Sequence, residues 1–218
     1  MASKFDLIVF DWDGTLMDSA AAIVAAIGAA CVDLGIEPPP EQRARHVIGL
    51  GLGDALRLAV PELETSRYDE MVAAYRRHYL AGDGDLRLFA GVDALLGELR
   101  EREKVLAVAT GKSRVGLDRA LSTTGTAHRF HATRCADECF SKPHPQMLIE
   151  LMDELGVAAE RTLMVGDTTH DLQMAAAAGT PALAVSYGAH PADTLAQHRA
   201  LAQLDSPAAL AGWLLENA

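Results

Sequence analysis

Cysteine, aromatic residues and surplus positive charge are all scarce in this chain, and each shortage excludes a class of function. The 218 residues include three cysteines, an odd number that argues against a disulfide framework and for a reducing compartment. Lys and Arg number 19 against 30 Asp and Glu, for a net charge of −11. A chain this acidic repels a phosphate backbone. Two Trp, four Tyr and five Phe also make a poor stacking platform, so charge-driven nucleic-acid binding is excluded. Long apolar runs are missing as well: the stretch 20–32 falls short of the roughly 20 residues that span a bilayer. The apolar run 7–10 ends at once in Asp11, which is not the shape of a signal peptide. These absences predict a cytoplasmic protein with neither membrane nor nucleic acid as partner. What is present, 50% hydrophobic and 22% charged residues, suits one globular domain, or one domain carrying an insertion.

Residues 5–10, apolar except for Asp6, read as a strand buried on both faces, as in a parallel sheet. Ser19 is placed to cap a helix on which Ile23, Val24, Ile27, Cys31 and Leu34 share a face, closed by Gly35 and three prolines. From there to Asp85 the pattern is helix or loop, and 82–85 reads as a linker. Beyond it the texture alternates. Helices are predicted at 92–102, 113–123, 145–155 and 172–178, and strands at 105–109, 130–133, 162–165 and 182–185. The reading is an α/β fold with a parallel sheet, formed by 1–18 and 86–218, and an inserted helical domain at 19–85. Ligands of such sheets lie at the carboxyl ends of the strands.

Four predicted strand ends carry reactive groups: Asp11 and Asp13; Thr110 with Gly111; Lys142; and Asp167 with Asp171. The segments are Asp-Trp-Asp-Gly-Thr at 11–15, Thr-Gly-Lys at 110–112, Lys-Pro-His-Pro at 142–145, and Gly-Asp-Thr-Thr-His-Asp at 166–171. In that order they resemble the four motifs of the haloacid dehalogenase superfamily, and with the helical insert they span nearly the whole chain. The resemblance implies a Rossmann-like core with a helical cap. It also implies Mg2+ held by Asp11, Asp13 (through its backbone carbonyl) and Asp167, with Asp171 supporting the metal from behind. Chemistry fits this. A free aspartate, with a pKa near 3.9, is ionised at neutral pH and can attack phosphorus without a base. A cation must then offset the meeting of two anions, and hard oxygen ligands suit Mg2+. Asp13 would protonate the leaving alcohol and later deprotonate water. Lys142, the Thr110 hydroxyl and the amides from Gly111 onward would bind the phosphoryl oxygens.

Plainer readings stand beside these. Asp-x-Asp-Gly can be a turn, although a calcium loop has its glycine sixth and Gly14 is fourth. Thr110 can be a helix cap, Lys142 a helix start, and Asp171 the cap of helix 172–178. The glycines at 49, 51 and 53 follow no strand, so they are no dinucleotide fingerprint; a flexible turn facing the site is expected. Arg45 and His46 beside it are candidates to touch substrate, whereas His144 and His170 receive no role. Cys135 and Cys139 lack the second pair that a zinc site needs.

Within the superfamily, dehalogenases lack the second aspartate, and phosphonate-cleaving members use a lysine in the insert. Asp13 is present here and 20–85 contains no lysine. Sugar phosphomutases usually carry a histidine after the first motif, where this chain has Ala20–Ala22. The remaining resemblance is to the phosphoglycolate phosphatase group, with Trp12 a departure from its usual smaller residue. The expected activity is Mg2+-dependent hydrolysis of a small phosphorylated metabolite through an aspartyl-phosphate. The alternatives are a phosphosugar mutase and a non-enzymatic phospho-acceptor switch.

Overall fold

A computed structural model describes residues 4–218; the expected boundary at residue 1 lies outside them. Six parallel strands form one sheet: β1 (Leu7–Phe10), β2 (Val105–Thr110), β3 (Ala132–Cys135), β4 (Thr162–Gly166), β5 (Ala182–Val185) and β6 (Gln203–Leu204). Their order is β3-β2-β1-β4-β5-β6. The chain thus winds outward from β1 through β2 to β3, then crosses back to build the other half from β4. Phe10 is level with Val108 on one side and Val165 on the other. The ends of β1 and β4 therefore flank the point where winding reverses, where such sheets open a crevice.

Alternation along the strands builds two cores. Ile8, Phe10, Leu106, Val108, Leu163 and Val165 face one way, with helices α5 (Val92–Glu101), α6 (Arg114–Thr124) and α10 (Pro207–Asn217) covering them. Leu7, Val9, Ala107, Ala109 and Met164 face the other way, against α7 (Gln146–Leu155) and α8 (Thr169–Ala178). A short α9 (Ala192–Leu195) adds Leu195 to that side.

Between β1 and β2 the chain forms α1 (Ala20–Asp33), α2 (Glu41–His46), α3 (Leu52–Ala59) and α4 (Tyr68–Gly82). They enclose a third apolar cluster that includes Ile27, Leu56 and Met71. The chain enters and leaves this helical unit through two crossing segments. Asp18 N–H donates to the Arg87 carbonyl (3.0 Å) and Phe89 N–H to the Leu16 carbonyl (2.9 Å).

The structure shifts several expected elements. The third strand begins at Ala132 rather than 130, because Phe130 turns inward to meet Trp12 edge-on, with centroids 6.3 Å apart. α8 starts at Thr169, three residues early, because Thr168 and Asp171 form a capping box. Ser19 does occupy the N-cap of α1, but its side chain makes no cap bond. No helix among the described residues is long and apolar enough to cross a membrane.

Leu163, fully buried in the first core, gives a direct test of this packing. Leu163→Ala is expected to lower unfolding free energy by about 2–5 kcal/mol in chemical denaturation. A loss well under 1 kcal/mol would show that the site is not packed as described.

Candidate active site

The motif at the end of β1 places its two aspartates differently. Asp11 continues the ladder, its N–H donating to the Val165 carbonyl (2.9 Å), and is completely buried. Its Oδ1 accepts from Trp12 N–H (2.7 Å) and faces Lys142 Nζ (2.8 Å). Its Oδ2 is buried with no hydrogen-bond partner among the described residues. The chain then turns through Gly14 at φ +81, where an added Cβ would stand 2.2 Å from Asp167 Oδ2. Only glycine lets this turn pass so close to a carboxylate.

Asp167, at the end of β4, accepts from Thr15 Oγ1 (2.8 Å) and from Ala189 N–H (2.7 Å). The loop after β5 reaches this close because Gly188 has no side chain; a Cβ there would lie 2.3 Å from Asp167 Oδ2. Asp171 divides its two oxygens. Oδ2 accepts from Thr168 N–H (3.1 Å) and caps α8, while Oδ1 accepts from Lys142 Nζ (2.6 Å). Asp171 thus serves the capping box with one oxygen and pairs with Lys142 through the other.

Asp11, Asp167 and Asp171 bring one carboxylate oxygen each within 4.8 Å of one another, all buried. Lys142, itself buried, compensates one of these three charges from its place between Asp11 and Asp171. Two negative charges remain uncompensated, and one oxygen lacks a partner. That is the charge and donor set of a divalent-cation site with hard ligands. Without such a cation, burial raises the Asp11 carboxyl well above its ordinary value of 3.8, against the opposing pull of Lys142. Burial, reinforced by Asp171, pushes Asp167 up to about 7. The ready ionisation expected of a free aspartate is thus not what burial alone gives here.

Asp13 does not join that cluster. Its Oδ1 accepts from Ser19 Oγ (2.7 Å), and Lys112 Nζ lies 2.9 and 3.0 Å from its two oxygens. This explains the missing cap at Ser19, whose hydroxyl is spent on Asp13. Lys112 also donates to Tyr79 Oη (2.9 Å), from α4 of the helical unit. Burial opposes the Lys112 charge, but Asp13 outweighs it and holds the ammonium above its ordinary value. Of the metal ligands expected from the sequence, Asp13 can therefore act only through its main chain.

Thr110 is buried at the end of β2, and its Oγ1 accepts from Lys112 N–H (3.2 Å). Beside it, an added Cβ at Gly111 would meet the Leu50 carbonyl at 2.4 Å. The glycine-rich turn at 49–53 does lie over the site: a Cβ at Gly49 would be 3.8 Å from Asp11 Oδ2. Gly51 N–H is anchored on Ser141 Oγ (2.7 Å).

Arg45 instead pairs with Glu41 (2.8 Å). The His46 ring stacks on His190, centroids 5.0 Å apart, while its carbonyl lies 2.8 Å from His170 Nε2 and 3.1 Å from His190 Nε2. A carbonyl only accepts, so both rings carry their proton on Nε2. These histidines tie the helical unit to the sheet. His144, near the Phe140 ring, touches none of the carboxylates. Thr15, Ser19, Tyr79, Lys112 and the loop at 187–189 received no role at the site from the sequence. Thr15 and Lys112 stood inside the motifs, and Ser19, at the end of the first, was read only as a helix cap.

A chamber of about 770 Å³ opens above Asp13 between the helical unit and the sheet, and Gly49, Gly111, Lys112 and Ser141 also line it.

Comparison with known proteins identifies the family. Residues 8–185 match the family model described as haloacid dehalogenase-like hydrolase. A protein of Dickeya dadantii named probable phosphatase IndB is 38% identical over 195 residues, 87% of this chain and 84% of that one. The phosphoglycolate phosphatase of Rhodospirillum rubrum is 32% identical, covering 95% and 90%. A solved hydrolase structure from Pseudomonas syringae shares the fold with TM-score 0.87 at 21% identity, covering 98% of both chains.

The charge balance can be tested without any turnover assay. The folded value of Asp167, about 7, lies above its ordinary 3.8. Its contribution to stability is therefore full below about pH 4 and is lost as pH rises towards 7. In chelator, Lys142→Met should deepen this loss, costing about 3–5 kcal/mol at pH 8 and distinctly less at pH 5. Denaturation curves at the two pH values measure it, and equal losses at both would contradict the charge assignment.

Proposed function

The chain belongs to the haloacid dehalogenase-like hydrolases and is a phosphatase of that family; from that premise we propose that it hydrolyses phosphomonoesters of small metabolites through an aspartyl-phosphate on Asp11, with Mg2+ as cofactor. Phosphoglycolate, the substrate in the name of one relative, belongs to that class. One observation carries the reading: Asp11 is buried with one oxygen against Lys142 and the other unpartnered, beside Asp167 and Asp171.

Asp11, Asp167 and the main-chain carbonyl of Asp13 would hold the cation, and Asp171 would steady it through its fixed capping geometry. When bound, Mg2+ supplies positive charge that keeps the carboxylates ionised and draws electron density from the phosphoryl group. Lys142, the Thr110 hydroxyl and the Gly111 amide would take up phosphoryl oxygens where charge develops. An Asp11 oxygen attacks phosphorus, the bond from phosphorus to the ester oxygen breaks, and Asp13, carrying a proton once Lys112 no longer pairs with it, gives that proton to the departing alkoxide. In the second half, a water attacks the same phosphorus and loses its proton to Asp13. The bond between phosphorus and Asp11 then breaks, releasing inorganic phosphate and restoring the carboxylate.

Residues 19–85 would act as a cap on a core of 1–18 and 86–218. Gly49, Gly51 and Tyr79 support this, because they bring the helical unit over Asp11 and onto Lys112. Such a cover keeps bulk water from the acyl-phosphate and admits substrate when it lifts. Three free cysteines support a reducing, cytoplasmic setting.

Asp11→Asn should preserve the fold and reduce phosphate release by on the order of 10³-fold or more, and chelation should silence the unaltered protein reversibly. Circular dichroism together with a phosphate-release assay decides it. Appreciable turnover by the folded variant would remove Asp11 as nucleophile.

A further inference from the structure

The chamber above Asp13 has the wrong character for a small ester that carries a carboxylate beside its phosphate. Its volume, about 770 Å³, lies in the range of clefts that enclose drug-sized ligands, and a two-carbon ester leaves most of it empty. Its walls are mainly hydrophobic: Ile23, Ile27 and Leu56 from the helical unit and Met17 from the sheet side all line it.

The charges present do not suit a second anion. Lys112 is committed to Asp13, and Arg119 is paired with Asp83 (3.0 Å). Arg76, the other cation on the lining, is exposed on α4. Asp54, paired with Arg57 (3.4 Å), and Asp137 lie on the same walls. A carboxylate next to the phosphate would find no buried, unengaged cation on this lining to receive it among the described residues. An uncharged group would lose nothing there.

Two further features point to a ring. Tyr75 and Tyr79 stack, with centroids 5.8 Å apart and planes 16° from parallel, and both line the chamber. Around them, Leu80, Val115 and Phe140 stand 45%, 77% and 67% exposed while lining the same space. Large apolar side chains left open around one cleft mark a place where apolar matter is received.

We propose that this phosphatase selects monoesters whose alcohol part is bulky, uncharged and ring-bearing, over short carboxylate-bearing esters such as phosphoglycolate. The proposal rests on the phosphatase reading above, and adds that the apolar chamber sets the substrate class. Phosphate would lie at Asp11 and the ring between the tyrosine pair and the Leu80–Val115 rim.

The test compares kcat/KM of the full chain with Mg2+ for 2-phenylethyl phosphate, phosphoglycolate and glycerol 3-phosphate. All three release ordinary primary alcohols, so leaving-group chemistry does not decide the ranking. The ring-bearing ester should exceed phosphoglycolate at least tenfold. A Leu80→Glu, Val115→Glu double variant, altered only at the exposed rim, should lower kcat/KM for 2-phenylethyl phosphate at least fivefold. Its turnover of glycerol 3-phosphate should fall distinctly less, so that the ratio of the two kcat/KM values drops. A preference below tenfold, or a double variant in which the ratio of kcat/KM for 2-phenylethyl phosphate to that for glycerol 3-phosphate does not drop, overturns the proposal and leaves the phosphatase reading standing. Absence of phosphate release from all three esters by folded protein overturns the phosphatase reading itself.

Discussion

Three buried carboxylates with a single ammonium among them are the constraint on which the rest of this structure depends. Asp11 and Asp167 are at the ends of the adjacent strands β1 and β4, and Asp171 opens the helix that follows. Isolated, such charges would be driven to take up protons. Lys142 spans Asp11 and Asp171 and so joins two halves of the sheet that wind in opposite directions. Gly14 and Gly188 exist in their positions because backbone must pass against Asp167. The charge that remains after Lys142 is what the proposed divalent cation would offset.

A second pairing links that cluster to the helical unit. Lys112 holds Asp13 with one part of its ammonium and Tyr79 with another. The proposed proton donor is thus fixed by a residue that also senses where α4 lies. Together with the His46 carbonyl, bound by two histidine rings, and Gly51 on Ser141, this makes closure of the helical unit a matter of specific polar contacts. The chamber beside it is lined largely by hydrophobic side chains, so on the proposed reading charge is handled at the strand ends and selection falls to those walls.

Much of this was legible in the sequence, and for a physical reason. Parallel strands buried on both faces are unbroken apolar runs, so β1, β2, β4 and β5 stood out, and reactive residues at their ends followed from the rule for such sheets. Asp171 stayed open between cap and site because one carboxylate has two oxygens, of which one joins the capping box and the other meets Lys142. The Asp13–Lys112–Tyr79 contact was not legible: Tyr79 precedes Lys112 by 33 residues and reads as part of an apolar helix face. Strand β6, of two residues, is too short to show any period. Phe130 looked like a strand residue until Trp12 supplied the partner that draws it inward.

The central claim is that Asp11 carries the phosphoryl group. Mixing the Mg2+-loaded protein with a turned-over ester, quenching in acid within a turnover and mapping peptides by mass spectrometry addresses it directly. The account predicts one added phosphoryl group on the peptide containing Asp11, lost in Asp11→Asn. Phosphorylation at any other residue, or its persistence in that variant, would contradict it.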